Sequence, residues 1–180
     1  TEVVIVDITS AKILQKIQAP DSVFLNDVAI DTQGRVYISD TRKNRIYKLE
    51  QDKISNWLDH VEAANGLKVV DEQLYIAAGD KLLKLDLNDN KKSITPVAVG
   101  FAERADGLEP VGNGDFIVSC WAGLVYYVYA DGRIQELMDS RAEKMNTADI
   151  GWDQATQTLY IPTFFGNSVQ AFQLKLKRNE

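Results

Sequence analysis

The feature that most constrains the fold is a short phrase of sequence that occurs four times at nearly constant spacing. It reads Asn26-Asp27-Val28-Ala29 in the first copy and Asn65-Gly66-Leu67-Lys68 in the second. The third and fourth copies begin Asp106-Gly107-Leu108 and Ala148-Asp149-Ile150. Measured from the first residue of each phrase, successive copies lie 39, 41 and 42 residues apart. A period of about 40 residues indicates a repeat architecture in which each copy is one supersecondary unit.

Each copy contains short apolar segments that are rich in β-branched and aromatic residues, which is the pattern of strands. In the first full copy these segments cover 25–30, 35–39, 45–49 and 54–58, with Gly, Gln or Asp in the turns between them. Four strands in about 40 residues is the content of one propeller blade. We therefore predict an all-β fold, a β-propeller with four-stranded antiparallel blades, of which about four of an expected six are present. The inner strands of a blade are buried between neighbouring blades. The residues expected to be buried on inner strands are Ala29, Ile30, Val36, Ile38, Leu67, Leu74, Ile76, Phe116, Val118, Leu159 and Ile161.

Full blades are predicted at 26–58, 66–99 and 107–138. Residues 1–17 have the pattern of the end of a blade, and 149–174 that of a last blade lacking its outer strand. Residues 1–180 would then form a single partial β-propeller domain.

Unpaired strand edges invite pairing with another chain. We expect such edges at Lys12–Ile17 and Ser168–Leu174, covered by a second chain. The alternative is a complete small fold of a different kind.

Charge and composition disfavour several classes of partner. With 26 acidic against 20 basic residues the formal net charge is −6, which argues against a nucleic-acid backbone as partner. No run of about 18 apolar residues is present, so no membrane-spanning segment is expected. Cys120 is the single cysteine, so no intramolecular disulfide is expected, and the compartment, cytoplasmic or periplasmic and secreted, stays open. Any targeting segment is expected to precede Thr1.

The repeated phrase places polar residues at the same point of every blade. Because each copy begins an innermost strand, the symmetry of a propeller turns this position into a ring around the axis. Oxygen donors of this type suit a hard cation, calcium in particular. Two other roles stay open, namely satisfying backbone donors at strand starts and contacting an organic ligand directly. The residues expected to converge are Asn26, Asp27, Asn65, Asp106, Thr147 and Asp149.

The loops after each second strand should reach the same end of the propeller. They carry Trp121 and Phe164, and aromatic rings beside a polar ring make a mouth for a sugar-like or lactone ligand. Packing between blades is the alternative role for either ring. His60, the one histidine, is either a base of the site or a surface residue, and Cys120 is expected in the core or a pocket wall.

In these motifs the chain resembles the gluconolactonase/regucalcin-like six-bladed propellers of the senescence marker protein/gluconolactonase superfamily. Asn26-Asp27 is similar to a pair that contacts substrate in that family. Asn65-Gly66-Leu67 resembles an element whose asparagine binds a divalent metal. Asp106-Gly107-Leu108 resembles an element whose aspartate binds the metal and is the usual base. Cys120-Trp121-Ala122-Gly123 stands where the family often has an aromatic residue followed by a small-residue turn.

The resemblance implies a lactonase or gluconolactonase-like hydrolase acting on a sugar lactone or ester, with a divalent metal, calcium by preference, at the propeller axis. Asp106 would be catalytic and would bind the metal together with Asn65. The blade spacing is shorter than in metal-dependent lactonases and closer to that of NHL-repeat propellers. The alternative is therefore a non-enzymatic NHL-like binding propeller that holds a ligand or protein partner on its top face. The expected substrate contacts are Asn26, Asp27, Trp121, Asp149 and Phe164.

Overall fold

The computed structural model describes residues 1–175, and its regular structure is nearly all β-strand. Seventeen strands in this part of the chain form five antiparallel sheets, which we number as blades one to five. Blade one contains β1 (Glu2–Asp7) and β2 (Lys12–Gln18). Blade five contains β15 (Gly151–Asp153), β16 (Thr158–Pro162) and β17 (Val169–Gln173). The three blades between them are β3 to β6 (Leu25–Ile30, Val36–Asp40, Arg45–Glu50, Lys53–Asp59), β7 to β10 (Ala64–Val70, Gln73–Ala78, Lys81–Asp86, Thr95–Val99) and β11 to β14 (Ala105–Gly112, Asp115–Cys120, Leu124–Val128, Ile134–Asp139).

Strand order confirms the predicted fold class. In each blade, strands that follow one another in sequence are hydrogen-bonded neighbours, so every blade is an antiparallel meander. The described residues thus form a partial β-propeller with two, four, four, four and three strands per blade. The predicted domain range ends with residues 176–180, which lie outside the described residues.

The hydrophobic core consists of layers between neighbouring blades. Leu82 of blade three belongs to one cluster with Phe116 and Val118 of β12. On the other side of the same strand, Ile117 clusters with Ile161 of blade five. Successive residues of β12 therefore face opposite neighbours, as expected when both faces of a sheet are buried. Similar layers join blade one to two and blade two to three.

Burial on the inner strands follows the sequence pattern with two exceptions. Val36 is half-buried, and the prediction for Ile30 is wrong because 64% of its surface is exposed. Ile30 faces blade one, which supplies only β1 and β2 among the described residues. An apolar groove of about 770 Å³ therefore remains between β1 and β3. The positions that are buried as predicted are Ala29, Ile38, Leu67, Leu74, Ile76, Phe116, Val118, Leu159 and Ile161.

The strands at the two predicted edges each have a single hydrogen-bonded neighbour within residues 1–175. β2 is hydrogen-bonded only to β1, and β17 only to β16. All residues of β17 are exposed, whereas β13, the matching third strand of blade four, is entirely buried. Coverage of these edges by a second chain stays a prediction. No helix in the described part of the chain is long and apolar enough to cross a membrane.

Candidate active site at the propeller axis

The innermost strand of each four-stranded blade carries a β-bulge at the same place. Register shifts interrupt the pairing across residues 26–27 in β3, 65–66 in β7 and 106–107 in β11. A bulge leaves a residue out of the ladder, bends the strand and re-aims its side chains. The repeated phrase therefore marks the point where each inner strand presents side chains to the axis.

Glycines at two of the bulges allow neighbouring blades to approach closely. A Cβ at Gly66 would overlap the carbonyl oxygen of Asp106, and a Cβ at Gly107 would overlap the carboxylate of Asp149. The matching positions of blades two and five hold Asp27 and Asp149 instead. At this level the axis is lined by bare backbone on two blades and by a carboxylate on two others.

Three aspartates lie at this end of the axis, and each accepts few hydrogen bonds. Asp27 accepts one from the Leu67 N–H at 2.6 Å, across the boundary between blades two and three, and one at 2.7 Å from the N–H of the residue that follows it. Asp106 accepts one from the side-chain amide of Asn65 at 2.7 Å, which joins blades three and four. Asp149 accepts one at 3.0 Å from the N–H of the residue that follows it. The structure thus brings Asn65 and Asp106, the two predicted metal ligands, into direct contact.

The pKa values of these carboxyl groups are raised. Burial raises the pKa of Asp106 to about 6, with the Asn65 hydrogen bond opposing the rise and the charges of Asp149 and Asp27 adding to it. Burial also raises the pKa of Asp27 to about 6, although the Leu67 N–H opposes the rise. Partial burial raises the pKa of Asp149 as well. Partly buried carboxylates with so few hydrogen-bond donors attract a cation, a proton or the hydrogen-bond donors of a ligand.

An axial cavity of about 250 Å³ opens beside Asp27 and Asp149, and Asn65 and Asp106 are not among the described residues that line it. Two residues beyond the bulges, its wall carries Lys68 from β7 and Glu109 from β11. These two side chains form an ion pair with 2.7 Å between Nζ and Oε2. The cavity therefore has a level of carboxylates and, next to it, a level with one ion pair.

The motifs in the sequence do not predict a role for Lys68 or Glu109. The aligned repeats contain a signal that could identify them, because the same position holds Ala29 in blade two and Gly151 in blade five. Charged residues are seldom placed on an inner strand unless they are paired. A lysine and a glutamate at equivalent positions of adjacent blades are such a pair.

Asn26 belongs to a link between blades. Its side-chain amide donates to Thr41 Oγ1 at 3.0 Å, and the Thr41 hydroxyl donates to the Ala64 carbonyl of blade three at 2.7 Å. Ser119 makes the corresponding link from blade four to blade five by donating to the Ala148 carbonyl at 2.9 Å. These side chains fix the spacing of the blades around the axis.

The expectation that Thr147 converges on the axis is wrong. Thr147 is fully buried, and its hydroxyl lies 2.7 Å from the Cys120 carbonyl and 3.0 Å from the Leu124 carbonyl. These contacts with the carbonyl groups on either side of the turn between β12 and β13 hold the Thr147 side chain in the interior. Asp149, two residues further on, is the member of this segment that reaches the cavity.

Trp121 and Phe164 form an exposed aromatic cluster together with Phe165. The ring centroids of Trp121 and Phe164 are 5.8 Å apart, and those of Phe164 and Phe165 are 4.9 Å apart, both in edge-to-face geometry. The three residues are 42%, 55% and 73% exposed. None of them is among the described residues that line the axial cavity. The predicted substrate contacts of Trp121 and Phe164 stay a prediction.

His60 does not line the axial cavity, whereas Cys120 pairs in register with Ala105, the residue before Asp106. His60 is exposed and lines a groove of about 550 Å³ with Glu62, Glu103 and Arg104, beside the loops that precede β7 and β11. Cys120 is fully buried, and burial raises the pKa of its thiol to about 12. A thiol with so high a pKa is not a nucleophile at neutral pH.

The axial residues suit a hard cation in their chemistry, although they do not form a closed metal site. Within residues 1–175 no group of three or more His, Cys, Asp or Glu side chains is arranged to hold an ion. Asn65 and Asp106 offer the amide and carboxylate oxygens that calcium takes. The Asn65 amide nitrogen points at Asp106, so the amide would have to turn its oxygen toward an ion. Asp27, Asp149 and water are the further donors at hand.

No protein-family model and no curated protein matches the sequence. The structure is similar to solved propellers of different function. A chain of the nidogen–laminin complex is similar with a TM-score of 0.80 at 14% identity, over 96% of this chain and 68% of that chain. Catalytically inactive virginiamycin B lyase from Staphylococcus aureus, with quinupristin, is similar with a TM-score of 0.74 at 13% identity, over 97% of this chain and 59% of that chain.

A gluconolactonase from Xanthomonas campestris is similar with a TM-score of 0.68 at 18% identity, over 89% of this chain and 61% of that chain. The chain thus spans about three-fifths of the length of the lyase and the gluconolactonase. At such identities the similarity establishes architecture alone. In its fold, this chain is a β-propeller similar to the nidogen–laminin chain, the lyase and the gluconolactonase.

Proposed function

We propose that the protein is a lactonase-like hydrolase that acts on a sugar lactone or ester at the propeller axis. The observation that carries the proposal is the half-buried Asp106 carboxyl group, whose pKa is raised to about 6. A general base is most effective when its pKa lies near the working pH. The motif resemblance and the fold shared with a gluconolactonase support the same reaction class.

Asp106 is the proposed base. The Asn65 amide holds its Oδ1 atom at 2.7 Å, which orients the carboxylate and leaves Oδ2 to accept a proton from water. The water oxygen forms a bond to the lactone carbonyl carbon, and the ring C–O bond breaks. The proton held by Asp106 then passes to the departing alcohol oxygen.

Asn65 and Asp106 are the residues that would hold a divalent cation, and their oxygen donors favour calcium. When bound, such an ion polarises the ester carbonyl as a Lewis acid. Asp27 and Asp149 accept hydrogen bonds from the substrate hydroxyls at the cavity wall. The proposed outer substrate contacts are Asn26, Trp121 and Phe164.

A non-enzymatic binding propeller is the second candidate. The hydrogen bond between Asn65 and Asp106 favours it, because the two proposed metal ligands satisfy each other. The exposed cluster of Trp121, Phe164 and Phe165 offers contact area for a partner segment. The nidogen–laminin chain shares the fold at a higher TM-score than the gluconolactonase.

Hydrolysis assays distinguish the two functions. Proton release from glucono-δ-lactone and from an aryl acetate is measured with calcium, magnesium, manganese or zinc, and again after chelation. The wild-type protein should hydrolyse at least one substrate, and Asp106→Asn should lower the rate by about 100-fold or more. Asp131→Asn is the matched control, because Asp131 lies on an exposed turn of the same blade. No hydrolysis with any ester and ion would support the binding propeller instead.

A further inference from the structure

Lys68 and Glu109 form the one ion pair in the wall of the axial cavity, and Lys68 is the one base among the described residues that line it. The Glu109 side chain is 17% exposed and the Lys68 side chain 37% exposed. Asp27 and Asp149 share the wall with them. A positive charge therefore lies close to the carboxylates but is bonded to a different acid.

The Lys68 ammonium is a natural competitor for any cation at the axis. A lysine has a flexible stem and a compact charge, so its ammonium can move among nearby carboxylates. Its charge already acts on Asp27 and Asp149, whose pKa values it lowers in part against the effect of burial. In the structure the ammonium is bonded to Glu109 at 2.7 Å.

We propose that Glu109 tethers the Lys68 ammonium and thereby keeps the carboxylates of Asp27 and Asp149 open to a divalent cation at the axis. The proposal rests on the cation site of the proposed function and adds two residues that set its affinity. When the tether is absent, Lys68 pairs with the axial carboxylates and the cation must displace it. When Lys68 is absent, no internal competitor is left.

Single variants alone do not separate a tether from a simple change of charge. Glu109→Gln removes a negative charge and Lys68→Met removes a positive one, so each shifts cation affinity in the expected direction by electrostatics alone. The tether predicts more than this, namely that Glu109 affects cation affinity only while Lys68 is present. A double-mutant cycle measures this coupling.

The test is calorimetric titration of the protein with calcium alone, for wild type, Glu109→Gln, Lys68→Met and the double variant. Glu109→Gln should weaken binding by about tenfold in the wild-type background and by less than about threefold in the Lys68→Met background. Lys48→Met and Glu50→Gln are matched controls, because Lys48 and Glu50 form a 2.8 Å ion pair on β5, outside the cavity. Neither control should change affinity by more than about twofold. Far-UV circular dichroism and thermal melting establish that each variant is folded.

Equal effects of Glu109→Gln in both backgrounds would overturn the tether, and so would the absence of calcium binding in all four proteins. Glu109→Asp keeps the charge with a shorter reach, and its affinity should lie between those of wild type and Glu109→Gln. Coupling without lactone hydrolysis would support the tether and contradict the hydrolase. Lactone hydrolysis together with additive effects of the two substitutions on calcium affinity would support the hydrolase and contradict the tether.

Discussion

Asp31 and Asp106 are aspartates at opposite ends of the inner strands, and their surroundings have opposite effects. Asp31 follows β3 and accepts hydrogen bonds from the Arg35 guanidinium at 2.5 Å, the Tyr37 hydroxyl at 3.0 Å and the Gln33 N–H at 2.9 Å. Asp106 accepts one from Asn65. Burial by itself would raise the pKa of Asp31, but these donors outweigh it and hold the pKa below its ordinary value. The pKa of Asp106 is raised to about 6.

The comparison shows how the donors around a buried carboxylate decide its role. Asp31 has its donors within its own hairpin, so it stabilises the fold and has little capacity for a ligand. Asp106 has one neutral donor, which comes from another blade, so its charge is available to a cation, a proton or a substrate. Substitution of Asp31 should therefore lower the stability of the fold, whereas substitution of Asp106 should change its stability little.

The largest stability effect is expected for Asp31→Asn. This change leaves the Arg35 guanidinium, whose side chain is 19% exposed, without its anion, and weakens the acceptor for Tyr37. We expect the free energy of unfolding to fall by about 3 kcal/mol, which urea denaturation measures. A loss below about 1 kcal/mol would show that the hairpin does not depend on this carboxylate.

A much smaller effect on stability is expected for Asp106→Asn. The amide has the same shape and removes a charge that burial disfavours, so the free energy of unfolding should change by less than about 1 kcal/mol. The same denaturation experiment measures it, with Asp131→Asn as the control. A loss as large as that of Asp31→Asn would mean that Asp106 is a structural residue and would end the contrast.

The pH dependence of stability should show two separate windows. The pKa of Asp31 is lowered in the folded state, so its contribution is present above the unfolded pKa of about 4 and is lost as pH falls through the folded value. The pKa values of Asp27 and Asp106 are raised to about 6, so their contribution is present below about 4 and is lost as pH rises through about 6.

Melting temperatures measured between pH 3 and pH 8 test these windows. Asp106→Asn should reduce the loss of stability between about pH 4 and pH 7, and Asp31→Asn should leave that loss unchanged. Conversely, Asp31→Asn should reduce the loss below about pH 4. An identical pH profile for both variants would contradict the assignment of the two windows.

The most local effect, on the pKa of Asp106, is expected for Asn65→Ala. Loss of its hydrogen bond should raise the pKa of Asp106 further and lower the free energy of unfolding by about 1 kcal/mol. Asn26→Ala is the matched control, since it removes a bond to Thr41 and leaves the contact between Asn65 and Asp106 in place. Carbon-13 NMR titration follows the pKa, and calcium titration then reports whether Asn65 is also a ligand. An unchanged Asp106 pKa would show that the hydrogen bond does not act on it.

The fold could be predicted from sequence because the repeat makes every local signal appear several times. Strand pattern, turn residues and spacing agree in each copy, so an error in one copy is corrected by the others. The prediction for Ile30 is wrong because its burial depends on the neighbouring blade and not on its own strand. The expectation for Thr147 is wrong because sequence does not reveal which carbonyl groups a hydroxyl contacts. The motifs do not predict the roles of Lys68 and Glu109, because the axis is formed by the assembled ring and not by any single repeat.

The β-bulges of the inner strands affect how such a protein can be re-engineered or can diverge. The axis-facing dipeptides are Asn-Asp, Asn-Gly, Asp-Gly and Ala-Asp on blades two to five. Since they stand apart from the regular ladder, changing one of them alters the chemistry of the axis at little cost to strand pairing, with glycine retained where the next blade comes close. The four dipeptides can thus be exchanged while the strand framework is kept. A combinatorial library at the six other positions, with Gly66 and Gly107 kept, would sample new ligand specificities while most members keep the same backbone.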